Sequence, residues 1–263
     1  MNLWQGMLIN LQFFTVIPVR SEIPMGPKQL TRSIQTFPLL GLLQGMLASG
    51  LLYALLQWTP FSTLATTFFV LLFMMVLTGG LHLDGWMDAS DAFFSYRDLE
   101  KRLEIMNDPR TGAFGVLSVI VLLAAKFLFL YEIAQLAQDI SYFLIILIPF
   151  FSKTVMGAFL VLIRPAKEKG LAAFFQKGIE RSCLWIYPFY WLLIIGATLF
   201  ISVHAFWMTL LLSAVTIVVA LGMKRKSLRW FNGITGDVLG ASVEGMEVLL
   251  WISVWLLHYF VMA

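Results

Sequence analysis

Apolar runs of about 20 residues recur along the chain, at about 37 to 57, 61 to 81, 113 to 131, 142 to 163, 184 to 203, 206 to 223 and 238 to 262. Each is long enough to cross a hydrocarbon core of roughly 30 Å as a helix. No two-residue alternation of the kind a membrane barrel requires is present. The pattern therefore predicts an all-α, polytopic integral membrane protein with seven or eight transmembrane helices, forming one domain over residues 1–263. The eighth span depends on residues 3 to 19, which are apolar but interrupted by Gln5, Asn10 and Gln12. That segment can span, lie in the interface or line a polar cavity, and the pattern leaves the three open.

Between the runs, residues 20 to 36 read as a polar loop broken by Pro24, Gly26 and Pro27. In the run that follows, Gly41 and Gly45 form a small-xxx-small pair suited to close helix packing. The run ending near Leu81 passes into HLDGWMDASD with no obvious stop, which predicts a helix continuing outward. RDLEKRLEIM then reads as a short amphipathic helix, with Leu99, Leu103 and Met106 at helical spacing, closed by the NDPRTG turn.

Composition agrees with the pattern: 60% of residues are hydrophobic and 13% charged, against about 25% charged in soluble domains. A single cysteine, Cys183, excludes an internal disulfide framework and any CxxC zinc site. The formal charge of +3 is too small to signal nucleic acid, so the basic residues carry information through their positions. Sixteen of the 18 Lys and Arg residues fall in 20 to 36, 92 to 112, 164 to 181 and 224 to 229, and the alternate loops have none. The positive-inside rule places those four segments in the cytoplasm. No cleavable signal is evident at the N-terminus. Lys126 and Lys153 are the exceptions, inside apolar runs, where an ammonium must snorkel, pair or face a cavity. Of the two, Lys153 is the better candidate for lining a site.

The chemistry concentrates between Gly79 and Gly115. Asp84, Asp88 and Asp91 are spaced i, i+4, i+7, which puts three carboxylates on one helix face. Bare, they repel one another; a divalent cation neutralises them, and oxygen-only ligands select a hard ion such as Mg²⁺. His82 stands beside them as a candidate base or ligand. A second acidic set, Asp237, Glu244 and Glu247, opens the last span among small residues and shares a helix face by spacing. Both sets fall at predicted cytoplasmic helix ends and can converge on one metal site. Arg110 is a candidate phosphate clamp, and Gly112 and Gly115 allow close backbone approach to a ligand at a helix start. His204 and His258 belong to the opposite side. Physically, the chain looks like a membrane enzyme that handles a phosphorylated or pyrophosphate-bearing substrate with a divalent metal.

Three runs, GGLHLDGWMDASDAFF, KRLEIMNDPRTGAFG and GITGDVLGASVEGMEV, resemble the cobalamin synthase family (adenosylcobinamide-GDP ribazoletransferase) in order and spacing. LQFFTVIPV, FPLLGLLQG and RPAKEKGLAAFF extend the resemblance over nearly the whole chain. The resemblance implies transfer of the adenosylcobinamide-phosphate moiety of adenosylcobinamide-GDP to α-ribazole or its 5′-phosphate, with GMP released and Mg²⁺ as cofactor. It implies metal binding by Asp84, Asp88 and Asp91 and phosphate binding by Asp108 and Arg110. Asp237, Glu244 and Glu247 match its C-terminal motif. Gly112 and Lys153 join the expected substrate contacts, although Lys153 stands where the family pattern has arginine, and no arginine follows Phe14 and Thr15. The resemblance also implies the bacterial or archaeal cytoplasmic (inner) membrane as location. The corrinoid nucleotide, α-ribazole and the bilayer are the expected partners, together with a homo-oligomeric contact or association with other corrinoid-pathway enzymes. Two alternatives stay open at this point: a CDP-alcohol phosphotransferase-like enzyme, whose DG-x-x-A-R start is absent, and an ion-coupled transporter.

Overall fold

Among the described residues, 3–261 of a computed structural model, the chain forms eleven α-helices and a 3₁₀ turn; the only strand-like pairing is an isolated bridge between Pro165 and Ile234. In order these are α1 (Leu3–Phe14), α2 (Pro27–Trp58), α3 (Thr63–Leu77), α4 (Leu81–Phe94), α5 (Leu99–Ile105), α6 (Ala113–Gln135), α7 (Asp139–Leu162), α8 (Leu171–Phe175), the 3₁₀ turn Arg181–Trp185, α9 (Ile186–Thr198), α10 (Val203–Phe231) and α11 (Gly236–Phe260). Residue 262, the expected end of the last span, lies outside the described residues.

The all-α membrane architecture agrees with the apolar pattern, while the number of spans differs. Five helices, α2, α6, α7, α10 and α11, are long and apolar enough to cross a bilayer, and α3 with α4 makes a sixth only if the pair is counted as one span despite an 85° bend. At 1.5 Å per residue the 12-residue α1 is about 18 Å long and cannot cross. It lies instead against the first turns of α2, where buried Asn10 donates to Ser33 O (2.8 Å) and Thr36 Oγ1 (3.0 Å) and accepts from Ser33 Oγ. In the expected 184 to 203 span, α9 is only 13 residues long. The 3₁₀ turn extends its reach: Glu180 and Cys183 adjoin Lys28 and Arg32, while Ser202 and His204 adjoin Gln138 and Val261 at the other end.

Helix α2 starts earlier than the loop pattern predicts, because Pro27 occupies its first turn, where a missing N–H is harmless. Its 32 residues, about 48 Å, overrun the hydrocarbon core, so the turns carrying Lys28 and Arg32 project from it. Deeper in, the glycine pair works as predicted. A Cβ on Gly41 would strike the Pro149 carbonyl, and one on Gly45 the Ile146 carbonyl, so α2 and α7 meet backbone to backbone.

The four basic segments gather at one end of the bundle. Lys167 Nζ donates to Asn107 Oδ1 (2.7 Å), an Arg102 guanidinium nitrogen to Trp230 O (3.3 Å), and Arg164 Nε to Asn232 O (2.9 Å). Lys28 and Arg32 share a cavity wall with Glu180. The alternation of basic and neutral loops along the chain is thus a true division between two ends of the molecule.

Candidate functional site at the basic end

Two glycines place α4. Instead of continuing outward, the apolar run from 61 to 81 stops at Gly79 (φ +63°) and Gly80 (φ +72°), left-handed conformations that glycine adopts without strain. The Gly79 N–H donates to Val76 O (2.9 Å) and the Gly80 N–H to Met75 O (3.2 Å), which closes α3 and turns α4 through 85°. Helix α4 then crosses α11 at small residues. A Cβ on Gly85 would sit 2.8 Å from the Asp237 carbonyl, and one on Gly240 would sit 3.2 Å from His82 Cα.

This crossing joins the two acidic motifs through Asp84, Asp88 and Asp237: the charge on Asp88 is felt from Asp84, Asp237 and Asp91. Asp84 and Asp237 line a cavity of about 260 Å³ together with Lys167 and Lys169, and Asn107, His82 and the start of α11 complete the wall. Thr235 caps that helix start by accepting from the Val238 N–H (3.1 Å). Lys167 is half-buried; burial pushes its ammonium below the usual lysine range, with Asp237 and Asp88 pulling the other way. Lys167, Lys169 and Asn107 were not singled out from the sequence, where loop cations read as orientation signals. The one available signal was the RPAKEKG run.

The remaining acidic residues have partners within the protein. Asp91 leaves the cavity and caps α6, its carboxylate accepting the N–H groups of Gly112 (2.7 Å) and Gly115 (2.8 Å). A Cβ on either glycine would strike that carboxylate. The acceptor at this helix start is thus the chain's own aspartate, where the glycine pattern had suggested a phosphate. Asp108 and Arg110 sit in the exposed turn before α6 and clasp each other, Nε at 2.9 Å and a terminal nitrogen at 2.7 Å. The Arg110 hydrogen bonds hold the Asp108 carboxyl down at about 2.

Glu244 and Glu247 do not line the cavity with Asp237, although spacing puts them on its face of α11. About two and three turns deeper, they meet Lys126 of α6 at 2.5 and 2.8 Å. Glu247 also accepts from Ser152 Oγ (3.0 Å) and lies 3.7 Å from Lys153, the lysine expected at the substrate. Two lysines and two glutamates balance in this buried cluster, which removes the need for a metal there. His82 is its neighbour and forms a partition: it lines the 260 Å³ cavity and also a 40 Å³ cavity shared with Gln44, Lys126, Glu244 and Glu247. His82 Nε2 and Gln44 Nε2 are buried without hydrogen-bond partners. His258 bonds Ser141 (2.6 Å), and His204 also lies at the far end, both away from the site as expected.

Among the described residues no three acidic, histidine or cysteine groups are arranged to ligate a metal together. Mg²⁺ does not demand such a cage, since it usually takes one or two carboxylates and completes its shell with water and substrate phosphate. Asp84 and Asp237, oxygen donors on the cavity wall, fit that mode, with Asp88 one turn along α4 within electrostatic range of both.

Residues 6–255 match the model of the family described as cobalamin-5-phosphate synthase. Among curated proteins, the chain is 41% identical to the adenosylcobinamide-GDP ribazoletransferase of Geobacillus sp. (strain WCH70), covering 98% of each chain. It is 36% identical to that of Halalkalibacterium halodurans, covering 95% of each. With the Clostridioides difficile protein of the same name it shares 30% identity over 96% of this chain and 97% of the relative. No solved structure matches. Full-length similarity of this kind, on a helical membrane bundle whose two acidic motifs meet at one end, establishes that the chain belongs to the cobalamin-5-phosphate synthase family.

Proposed function

We propose that the protein transfers the adenosylcobinamide-phosphate moiety of adenosylcobinamide-GDP to α-ribazole or its 5′-phosphate and releases GMP. The observation that carries this reading is the cavity that Asp84 and Asp237 line together with Lys167 and Lys169. Phosphoryl transfer needs charge neutralisation and in-line positioning more than covalent help, and carboxylates and ammonium groups lining one cavity supply both. One or two of Asp84, Asp88 and Asp237 would hold Mg²⁺, which when bound offsets charge on the pyrophosphate.

Lys167 and Lys169 bind phosphate oxygens, and Asn107 fixes the Lys167 ammonium in place. The ribazole 3′-hydroxyl oxygen bonds to the phosphorus on the aminopropanol arm as the bond from that phosphorus to GMP breaks. To His82, which lines this cavity and whose buried Nε2 has no partner, we assign removal of the hydroxyl proton. GMP leaves as an anion beside Lys167 and Lys169. By the positive-inside rule the basic end faces the cytoplasm, so the nucleotide enters from and returns to that compartment.

Purified protein in lipid, given adenosylcobinamide-GDP and α-ribazole, is expected to release GMP only with Mg²⁺ present. Asp84→Ala and Asp88→Ala should abolish release. Absence of GMP from the wild type, or full release by both variants, would overturn the assignment.

A further inference from the structure

The back of α4 forms the floor of a second, quite different cavity. It holds about 740 Å³ between α4, α6, α10 and α11, and its walls are almost entirely apolar. On α6 it runs from Phe114 to Ala125, and on α11 from Ala241 to Ile252. Eleven helical steps make this about 17 Å, close to the roughly 15 Å that one leaflet of hydrocarbon occupies. The α6 rim, with Leu117 58% and Val121 67% exposed, opens sideways into the region of the bilayer.

One end of the groove is different. There Lys226 joins the wall, its ammonium 5.3 Å from the centre of the Trp230 ring. It belongs to the Lys224, Arg225, Lys226 and Arg229 cluster on the last turns of α10, and among the described residues none of the four is in a salt bridge. A slot one leaflet deep, apolar along its length and topped by uncompensated cations at the basic end of the bundle, matches one kind of molecule.

We propose that this groove is a binding site for an anionic phospholipid, with one acyl chain lying along α6 and α11 and the phosphate at Lys226. The site is independent of the nucleotide cavity, since α4 separates the two. The lipid packs against the face of α4 that Asp84 and Asp88 do not use, and so supports the helix that carries them.

The test is native mass spectrometry of the full-length protein taken from nanodiscs of phosphatidylglycerol or of phosphatidylcholine. Wild type should retain one phosphatidylglycerol and discriminate against phosphatidylcholine. A basic residue near a charged headgroup contributes about 1 kcal/mol, so Lys226→Gln should weaken phosphatidylglycerol retention roughly fivefold and Lys226→Glu more. Ala125→Trp, which fills the groove at its deep end, should remove retention of both lipids. Monodisperse elution of each variant and continued GMP release check that they fold. Equal retention of the two lipids, or retention unchanged in both Lys226→Glu and Ala125→Trp, would overturn the proposal. A wild-type dimer that Ala125→Trp dissociates would do so as well, by assigning the groove to a second copy of the chain.

Discussion

The three aspartates of α4 look equivalent in sequence and differ in the fold, and Asp91→Asn separates the roles. The Asp91 carboxylate accepts two backbone N–H groups at the start of α6, at 2.7 and 2.8 Å. Asparagine keeps one acceptor oxygen, so it retains one bond and loses the other together with the charge favoured at a helix N-terminus. Losing an N-cap acceptor costs about 0.5–2 kcal/mol and the charge–dipole contribution about 0.3–1 kcal/mol. Because the site is only half-buried and water can reach the freed N–H, we expect a loss of about 1–2 kcal/mol for Asp91→Asn and about 2–3 kcal/mol for Asp91→Ala, which loses both bonds. Gly115→Ala should mimic Asp91→Ala, since its Cβ displaces the same carboxylate. Combining the two should be far from additive, as expected for groups in contact. Unfolding in mixed micelles measures stability, and GMP release titrated with Mg²⁺ reads the metal. On the proposed reading, Asp91→Asn lowers stability and leaves the half-saturating Mg²⁺ concentration within about twofold, whereas Asp84→Asn and Asp88→Asn raise it on the order of tenfold, roughly 1.4 kcal/mol. Unchanged stability for Asp91→Asn, with a Mg²⁺ requirement raised as far as in Asp84→Asn, would refute the capping role.

Two further predictions concern the lysines. Lys126→Met strands Glu244 and Glu247 in the bundle and should destabilise it by about 3–5 kcal/mol, and adding Glu244→Gln should recover part of the loss because Glu247 keeps Lys153 nearby; unfolding of the single and double variants in mixed micelles checks this. Because burial lowers the Lys167 affinity for its proton, the cationic form is lost as pH rises at a lower pH than for an ordinary lysine. The rate constant kcat/KM for adenosylcobinamide-GDP should therefore fall on the alkaline side at a lower pH than an ordinary lysine would set, and Lys167→Arg, which stays charged, should remove that limb.

Helical spacing and small neighbours drew attention to Asp84, Asp88 and Asp237, because both are properties of a single helix. What the apolar pattern concealed was the end of α3: hydropathy runs on through Leu81, and the stop is a backbone conformation at Gly79 and Gly80 that side-chain polarity does not register. Asp91 has the spacing of a ligand, and its partners are N–H groups on the next long helix, invisible to a one-helix argument. Lys126, Glu244 and Glu247 each signalled that something must compensate them. Periodicity does not say which helices face one another, so the match between α6 and α11 had to come from the fold. Lys167 and Lys169 of the α7 to α8 loop were hidden for the opposite reason, since nothing local distinguishes a cavity-lining cation from an orientation signal.

The pairing of Lys126 with Glu244 spans 118 residues of chain, and that separation is also a time. At roughly 5–20 residues per second, α6 leaves the ribosome some 6 to 24 s before its partner. For that interval the Lys126 ammonium can reach only lipid headgroups or water, and afterwards the glutamates of the last helix enter already matched to it. The newborn chain therefore cannot finish its interior until its final span arrives, and a product lacking α11 would present a membrane quality-control protease with an unneutralised lysine in its sixth helix.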